Sequence, residues 1–302
     1  MAFVANILLL AASVTPALAF CGAHTHLDKR EEGVVPISTF SGTGLTGPLL
    51  WDQLDAANAV CATGTTQSPI DMVPEVFTLV EGSNVTLDFA EVPGGAEFEN
   101  LGSTVEVVME EHGSSLLLDG LNYTLQQFHF HNPSEHLDNG TKLPMEMHMV
   151  FMHEEAEVAV LAVYVDIADP MTLGAPTALL ETVFSSVHEI STPGTLTTTL
   201  PLSLASLQTQ LQSGSFQRYT GSLTTPPCTE GVSWLVSTEK LAITRETYLA
   251  VREVVGFNAR YVQNTPGEQN LLQVFKSPSA LTAQNGTSSN VTLQAAAHKH
   301  KL

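Results

Sequence analysis

The amino-acid sequence predicts a mainly β fold of the α+β class, folded as a single domain. Short apolar runs, several with alternating polarity, dominate residues 76–165, whereas apolar residues at helical spacing stand out in only two segments. No internal repeat and no Gly/Ser-rich linker divides the middle of the chain. The 302 residues would also accommodate two small domains, but one hydrophobic core is the simpler interpretation.

The predicted strands follow one another between Gly, Pro, Asn and Asp residues and are rich in Val, Leu, Phe and Met. They include residues 85–89, 104–108, 123–131, 146–151 and 158–167.

Two helices are predicted further along the chain, where apolar residues recur every three or four positions. They cover residues 177–187 and 245–254. Thr244 precedes the second helix and is expected to cap its first turn.

The charge balance excludes some partners. The chain has 31 acidic and 11 basic residues, which gives a net charge of −20. Such a field repels phosphate backbones and anionic membranes, so we expect no nucleic-acid partner. No segment is long and apolar enough to predict a membrane anchor.

The N-terminal residues 1–19 are predicted to form a secretory signal peptide. An apolar run over residues 3–10 is followed by Ala17-Leu18-Ala19, a small-residue pattern suited to cleavage, although no Lys or Arg precedes the run. Residues 20–30 end in the dibasic pair Lys29-Arg30 and form either a propeptide or an ordinary polar linker. The sequence therefore predicts a secreted, extracellular protein whose main folded domain covers residues 31–276.

The cysteine count agrees with secretion if both cleavages occur. Removal of Cys21 would leave Cys61 and Cys228 to pair, and such a disulfide adds about 2–4 kcal/mol of stability. Five N-x-[ST] sequons are glycosylation candidates: Asn84, Asn122, Asn139, Asn285 and Asn290. The polar tail 277–302 is expected to be mobile.

Two histidines on one predicted strand are the first sign of a metal site. His129 and His131 are two positions apart, so both imidazoles face the same side of the strand. Such a pair alone is a weak signal, because histidines on a polar strand face are common. His148 lies in a second alternating run. If the two runs pair, three nitrogens can bind zinc and leave a fourth position open.

Two polar residues alternate in phase with these histidines. Gln127 is two positions before His129, and Glu146 is two positions before His148. Each is expected to accept a hydrogen bond from the imidazole nitrogen that does not bind metal. The alternative is that both are ordinary polar residues on a solvated face.

Several motifs together resemble the α-class carbonic anhydrases over roughly residues 38–276. The similarity lies in Gln67-Ser68-Pro69-Ile70, Gln127-Phe128-His129-Phe130-His131, Ser134-Glu135-His136, Glu146-Met147-His148, Gly221-Ser222-Leu223-Thr224-Thr225-Pro226-Pro227-Cys228 and Trp234. The resemblance implies one large, twisted, mostly antiparallel sheet with peripheral helices and a zinc ion at the floor of a conical cleft. It also implies reversible hydration of carbon dioxide to bicarbonate and a proton by zinc-bound hydroxide, side esterase activity, and inhibition by sulfonamides and small anions.

The resemblance assigns roles to further residues. Thr224 would accept a hydrogen bond from the zinc hydroxide and donate its own proton to an ionised Glu135. The backbone carbonyl of Asn258 would steady His131, and Cys61 and Cys228 match the usual extracellular disulfide. Without the histidines, Glu135 and Thr224 would be interpreted as cap and turn residues. The substrate pocket would comprise Val150, Val160, Leu223, Thr225 and Trp234, whose apolar members would otherwise be ordinary core.

The sequence departs from the family pattern at the proton-shuttle position, where Ser103 replaces a histidine. Serine does not titrate near neutrality, so we predict that proton transfer limits the rate unless His112, His153 or Glu106 substitutes. Phe40 replaces a tyrosine of the hydrogen-bond network in the cleft.

Two other functions are compatible with such a domain. One is a catalytically inactive, carbonic anhydrase-like binding or adhesion module, although relatives of that kind usually lack one or more zinc histidines. The other is a zinc hydrolase with a different natural substrate.

Overall fold

The computed structural model describes residues 34–154, 157–169 and 174–276. The predicted signal peptide, the segment 20–30 with Cys21, and the tail with Asn285 and Asn290 lie outside the described residues. The strands are β1 Asp71–Met72, β2 Thr78–Glu81, β3 Thr86–Asp88, β4 Glu97–Asn100, β5 Val105–Val108, β6 Ser115–Leu118, β7 Leu121–His131, β8 Leu137–Asp138, β9 Met145–His153, β10 Glu157–Ile167, β11 Leu196–Thr198, β12 Ser215–Ser222, β13 Glu230–Ser237 and β14 Leu241–Ile243.

The helices are short and peripheral. They are α1 Trp51–Leu54, α2 Val60–Thr63, α3 Ala178–Phe184, α4 Ala205–Ser213, α5 Arg245–Val255 and α6 Leu271–Lys276, with 3₁₀ turns at Gly44–Thr46, Ala56–Ala59, Gly82–Asn84 and Val187–Ile190. Within the described ranges, no helix is long and apolar enough to cross a membrane.

One large mixed sheet of mostly antiparallel strands organises the molecule, as predicted. Among the described residues it has twelve strands, with the main path β11-β4-β5-β7-β9-β10-β13-β12-β2. Strand β6 joins β7 to β3, and only β13 and β14 run parallel to their neighbour β10. The short strands β1 and β8 form a separate parallel pair.

The five predicted strands are confirmed, with shifts of a few residues at their ends. The first predicted helix is too long, because α3 ends at Phe184 and a 3₁₀ turn follows. The Ser185 hydroxyl donates to the carbonyl oxygen of Thr182, a local bond that competes with continuation of the helix.

The predicted cap of α5 is confirmed. Thr244 Oγ1 accepts a hydrogen bond from the backbone N–H of Thr247 at 3.1 Å. Gly256, with φ of 66°, ends the helix.

A β-bulge in β7 decides which side chains face the core. The register with β9 shifts by one residue between Leu125 and Gln127. Before the bulge, the odd-numbered Tyr123 and Leu125 belong to the main hydrophobic core, and after it the even-numbered Phe128 and Phe130 do. The bulge therefore turns the odd-numbered residues after it to the opposite face of the sheet, where the histidines lie.

Candidate metal centre

Three histidines converge where β7 and β9 pair. His129 lies directly opposite His148 in the antiparallel register, and His131 follows two residues later on β7. The Nε2 atoms of His129 and His131 are 3.2 Å apart. One ring nitrogen from each of the three lies within 4.8 Å of the others. Two nitrogens bound tetrahedrally to zinc at about 2.0–2.1 Å are about 3.3 Å apart, so this donor set fits zinc.

Each histidine uses its other nitrogen to contact the protein. Nδ1 of His129 is 2.8 Å from Oε1 of Gln127, and Nδ1 of His131 is 3.3 Å from the carbonyl oxygen of Asn258. Nε2 of His148 is 2.8 Å from Oε1 of Glu146. The structure places all three predicted partners where an N–H of each ring donates outward, which leaves the opposite nitrogen free to bind a metal.

Burial keeps the imidazoles of His129 and His131 neutral. Loss of solvent lowers the pKa of His129 and His131 well below the ordinary value, and repulsion from the neighbouring histidines lowers it further. Neutral imidazole is the form that binds metal.

The Glu146 carboxylate is buried but fully satisfied. Its Oε2 accepts from the backbone N–H groups of Glu135 and His136, both at 2.8 Å, and its Oε1 accepts from the rings of His136 and His148. Burial alone would raise the pKa, but the two histidines outweigh burial and hold the pKa of Glu146 well below its usual range. Glu146 is therefore ionised and acts as an acceptor.

A hydrogen-bond chain that the sequence analysis did not predict extends from Glu146. Nδ1 of His136 donates to Glu146 at 2.6 Å, and Nε2 of His136 is 2.7 Å from the Tyr219 hydroxyl. That hydroxyl is 2.7 Å from Oγ of Ser68, and burial raises its pKa well above the usual value, so it stays protonated. His136, Glu146 and His148 also form a compact donor group, but hydrogen bonds of 2.6 and 2.8 Å account for it. The Ser134-Glu135-His136 motif was the only sequence signal for this chain.

Glu135 and Thr224 lie beside the histidines. Oε1 of Glu135 accepts from the backbone N–H of Arg260 at 2.7 Å, and Oε2 is 3.4 Å from Nε2 of His131. Across the described residues, Oε2 has no partner with normal hydrogen-bond geometry. Burial raises the pKa of Glu135, while the nearby His148 ring, the Thr224 hydroxyl and the backbone N–H of Arg260 lower it. The Thr224 hydroxyl is therefore close enough to interact with this carboxyl group.

Arg260 is another residue near the site whose role the sequence did not predict. Its buried guanidinium donates to the carbonyl oxygens of Ser68 and Cys61 and to the side chain of Gln67. Burial lowers its pKa to about 10, so it remains charged at neutral pH. It thereby joins the Gln67-Ser68 segment to the irregular segment after α5, whose backbone at Arg260 supports Glu135.

The predicted apolar wall is a continuous surface. Val150 on β9 pairs with Val160 on β10, which pairs with Trp234 on β13. These three side chains and Leu223 belong to one buried cluster. The Trp234 ring lies 4.9 Å from the His148 ring, measured between centroids. The wall is therefore next to the metal-binding nitrogens.

A small cavity of about 40 Å³ adjoins His129 and His131 and includes Thr225 in its wall. Ser103 also lines it, and its Oγ is 2.6 Å from Oγ of Ser38. Phe40 lines it too and packs edge-on against Trp51. Apart from the two histidines, none of the described residues that line this cavity has an ionisable side chain that could exchange a proton near neutrality.

None of the three substitute shuttles lines this cavity. His112 lies between β5 and β6, and Glu106 is buried on β5 opposite His129. His153 is at the far end of β9, where its Nδ1 donates to the carbonyl oxygen of Asn122.

A disulfide joins Cys61 to Cys228, as predicted, with 5.0 Å between the Cα atoms. Cys228 directly follows the segment 224–227, and Cys61 lies in α2. The disulfide therefore tethers the Thr224 loop to α2. Outside the site, the sequon residues Asn84, Asn122 and Asn139 are exposed.

Comparison with known proteins supplies the family. A sequence model described as eukaryotic-type carbonic anhydrase matches residues 46–283. The chain belongs to this carbonic anhydrase family. Members of the family act on carbon dioxide and bicarbonate as carbonate dehydratases and use zinc.

Individual carbonic anhydrases show how much of the chain is shared. A carbonic anhydrase of Neisseria gonorrhoeae is 34% identical over 236 residues, 76% of this chain and 80% of the relative. The structure of a fungal α-carbonic anhydrase from Aspergillus oryzae has 40% identity and a TM-score of 0.74, and the match covers 79% of this chain and 99% of that one. An α-carbonic anhydrase from Thermovibrio ammonificans, in complex with the inhibitor sulfanilamide, has 31% identity and a TM-score of 0.66, over 77% of this chain and 98% of that one.

Proposed function

We propose that this protein catalyses the zinc-dependent, reversible hydration of carbon dioxide to bicarbonate and a proton. The observation that carries the proposal is the convergence of three buried imidazole rings beside an apolar wall. Family membership supports the reaction, and the three intact histidines support a working rather than a vestigial site.

His129, His131 and His148 would hold the zinc ion. Bound zinc supplies a Lewis acid that lowers the pKa of a water ligand toward neutrality, as is established for carbonic anhydrases. Gln127, Glu146 and the carbonyl oxygen of Asn258 fix the ring orientations, so the binding nitrogens need little rearrangement.

Thr224 and Glu135 orient the attacking oxygen. The Thr224 hydroxyl would donate its proton to the Glu135 carboxylate, so that its oxygen is left as an acceptor for the nucleophile. This arrangement requires an ionised Glu135, which the backbone N–H of Arg260 and the contact with Thr224 favour against the effect of burial. Such an acceptor directs the nucleophile at the substrate carbon.

The apolar wall provides the place for carbon dioxide. The substrate is small, linear and without net charge, so it can bind to the apolar surface formed by Val150, Val160, Leu223 and Trp234. The same surface binds the bicarbonate anion only weakly. Thr225 borders the same space from the cavity side.

Proton release is the slow part of the proposed reaction. The cavity wall has hydroxyl groups at Ser38 and Ser103 where a titrating side chain would accept the proton. The proton must then pass through water to external buffer.

Two alternatives require different observations. A catalytically inactive binding or adhesion module would not need the three histidines, Glu135 and Thr224 together, all of which are present. A hydrolase with another natural substrate would use the same metal site, and ester hydrolysis is expected here only as a side activity. Sulfonamides and small anions are expected to inhibit by binding at the metal.

We also propose that the protein is secreted. Removal of residues 1–19, with or without removal of residues 20–30, would export a catalytic domain over residues 31–276 that has a disulfide. The exposed Asn84, Asn122 and Asn139 would be available for glycosylation.

The experiment combines zinc analysis with stopped-flow hydration of carbon dioxide. We expect the wild-type protein to bind one zinc ion per chain and to hydrate carbon dioxide. We expect His148→Ala to lose both the metal and the activity. His153→Ala is the matched control, because it removes a histidine from the same strand outside the site and should retain both. Hydrolysis of an activated ester, measured on the same samples, separates the hydrolase alternative. Zinc binding without carbon dioxide hydration would refute the proposed reaction.

A further inference from the structure

An open cleft lies at the edge of the large sheet, and none of the three histidines of the metal centre lines it. Strand β2 pairs with β12 from Glu81 opposite Ser215 to Thr78 opposite Arg218, and the pairing stops there. At the far end of β12, the backbone N–H of Ser222 donates to Ser68 Oγ. Within the described part of the chain, residues 219–221 have no strand partner on this side of β12. A cleft of about 700 Å³ opens there, a size usual for small-molecule sites.

The cleft combines an apolar lining with one carboxylate that lacks a charged partner. Val76, Phe77 and the Tyr219 side chain contribute apolar and aromatic surface. Glu75 is exposed at the cleft, and among the residues described here it forms no ion pair. A ligand that combines an apolar body with a positive charge is therefore complementary to this cleft.

The other charged group of the cleft is already neutralised. Both terminal nitrogens of Arg218 donate to the carboxylate of Asp119, one of them at 2.9 Å. A ligand carboxylate would have to compete with this bidentate pair. The net charge of −20 also favours a cationic ligand over an anionic one.

The cleft is connected to the metal centre through Tyr219. The Tyr219 hydroxyl starts the chain of hydrogen bonds through His136 and Glu146 to His148. The Tyr219 ring also stacks on Trp234 with 6.1 Å between centroids, and Trp234 adjoins His148. A ligand that shifts Tyr219 would therefore act on a metal-binding histidine.

We propose that the cleft beside Glu75 and Tyr219 binds a small protonated amine with an apolar or aromatic body, and that its occupancy changes ligand binding at the metal centre. The binding itself is independent of the proposed function. The coupling rests on the proposed metal site.

Calorimetry on the zinc-loaded protein, with azide saturating the metal, tests the binding with phenethylamine as the probe. We expect saturable 1:1 binding. Wild type should bind the uncharged 2-phenylethanol at least about tenfold more weakly than phenethylamine, because the charge pair is lost. For the same reason, Glu75→Gln should bind phenethylamine at least about tenfold more weakly than wild type does. Glu253→Gln is the matched control, since it removes an exposed carboxylate elsewhere, on α5. Absence of saturable binding, or equal affinity in wild type and Glu75→Gln, would overturn the site.

A second titration tests the coupling. The azide affinity of the zinc-loaded protein is measured with and without saturating phenethylamine. We expect at least about a twofold change in wild type and none in Tyr219→Phe, which keeps the aromatic ring and loses the hydroxyl that is hydrogen-bonded to His136. If Tyr219→Phe does not fold, Ser68→Ala weakens the same chain by removing the partner of that hydroxyl. An unchanged azide affinity in wild type would overturn the coupling. Neither titration measures turnover, so failure of carbon dioxide hydration would be recognised separately.

Discussion

The Glu146 carboxylate accepts a hydrogen bond from Nε2 of His148 at 2.8 Å, which leaves Nδ1 of that imidazole for the metal. The same oxygen also accepts from His136. One buried carboxylate thus sets the orientation of a metal-binding histidine and receives the hydrogen-bond chain that starts at Tyr219.

Glu146→Ala should weaken zinc binding by about 10–100-fold, because His148 loses the acceptor that fixes its orientation. Competition with a chromophoric chelator measures the affinity. Glu253→Ala, which removes an exposed carboxylate, is the control. Zinc affinity equal to wild type in Glu146→Ala would contradict the orienting role.

Thr224→Ala should retain zinc but lower kcat/KM for carbon dioxide hydration by on the order of 10²-fold, because the attacking oxygen loses its acceptor. Thr224→Ser keeps a hydroxyl and should retain most of the activity. Stopped-flow hydration and zinc analysis of both variants provide the measurement. Equal losses in the alanine and serine variants would speak against a role for the hydroxyl.

Imidazole buffer should raise the maximal rate of hydration, because the cavity wall at Ser103 has no group that titrates near neutrality. Ser103→His should raise the rate in weak buffer and reduce the dependence on imidazole. Initial rates over a series of buffer concentrations at constant pH check this. A wild-type rate that does not respond to buffer would show that proton transfer is not limiting.

The double variant Cys61→Ser/Cys228→Ser should lose about 2–5 kcal/mol of stability, because the disulfide closes a long loop. The double variant should also lose more of its carbon dioxide hydration rate than of its zinc content, because the Thr224 loop loses its tether to α2. Guanidinium unfolding and zinc analysis measure the two effects. Unchanged activity per bound zinc would show that the disulfide does not position Thr224.

Much of the centre could be predicted from short-range patterns. His129 and His131 are two residues apart on one strand, and Gln127 is in phase with them. The bulge between Leu125 and Gln127 could not be predicted, because its effect appears only in the pairing with β9. Without it, strict alternation from Leu125 would turn both histidines toward the main core.

The remaining parts depend on contacts between distant segments. Tyr219 is 83 residues from His136 and 151 residues from Ser68, so their spacing in the sequence gives no sign of the hydrogen-bond chain that joins them. Arg260 meets Ser68 across 192 residues. The cleft likewise arises only where β2 leaves β12.

Zinc K-edge X-ray absorption of the metal-loaded protein tests the central claim most directly. The account predicts nitrogen or oxygen ligands at about 2.0–2.1 Å with the signature of three imidazoles. Sulfur ligands near 2.3 Å, or fewer than three imidazoles in the wild-type spectrum, would contradict it.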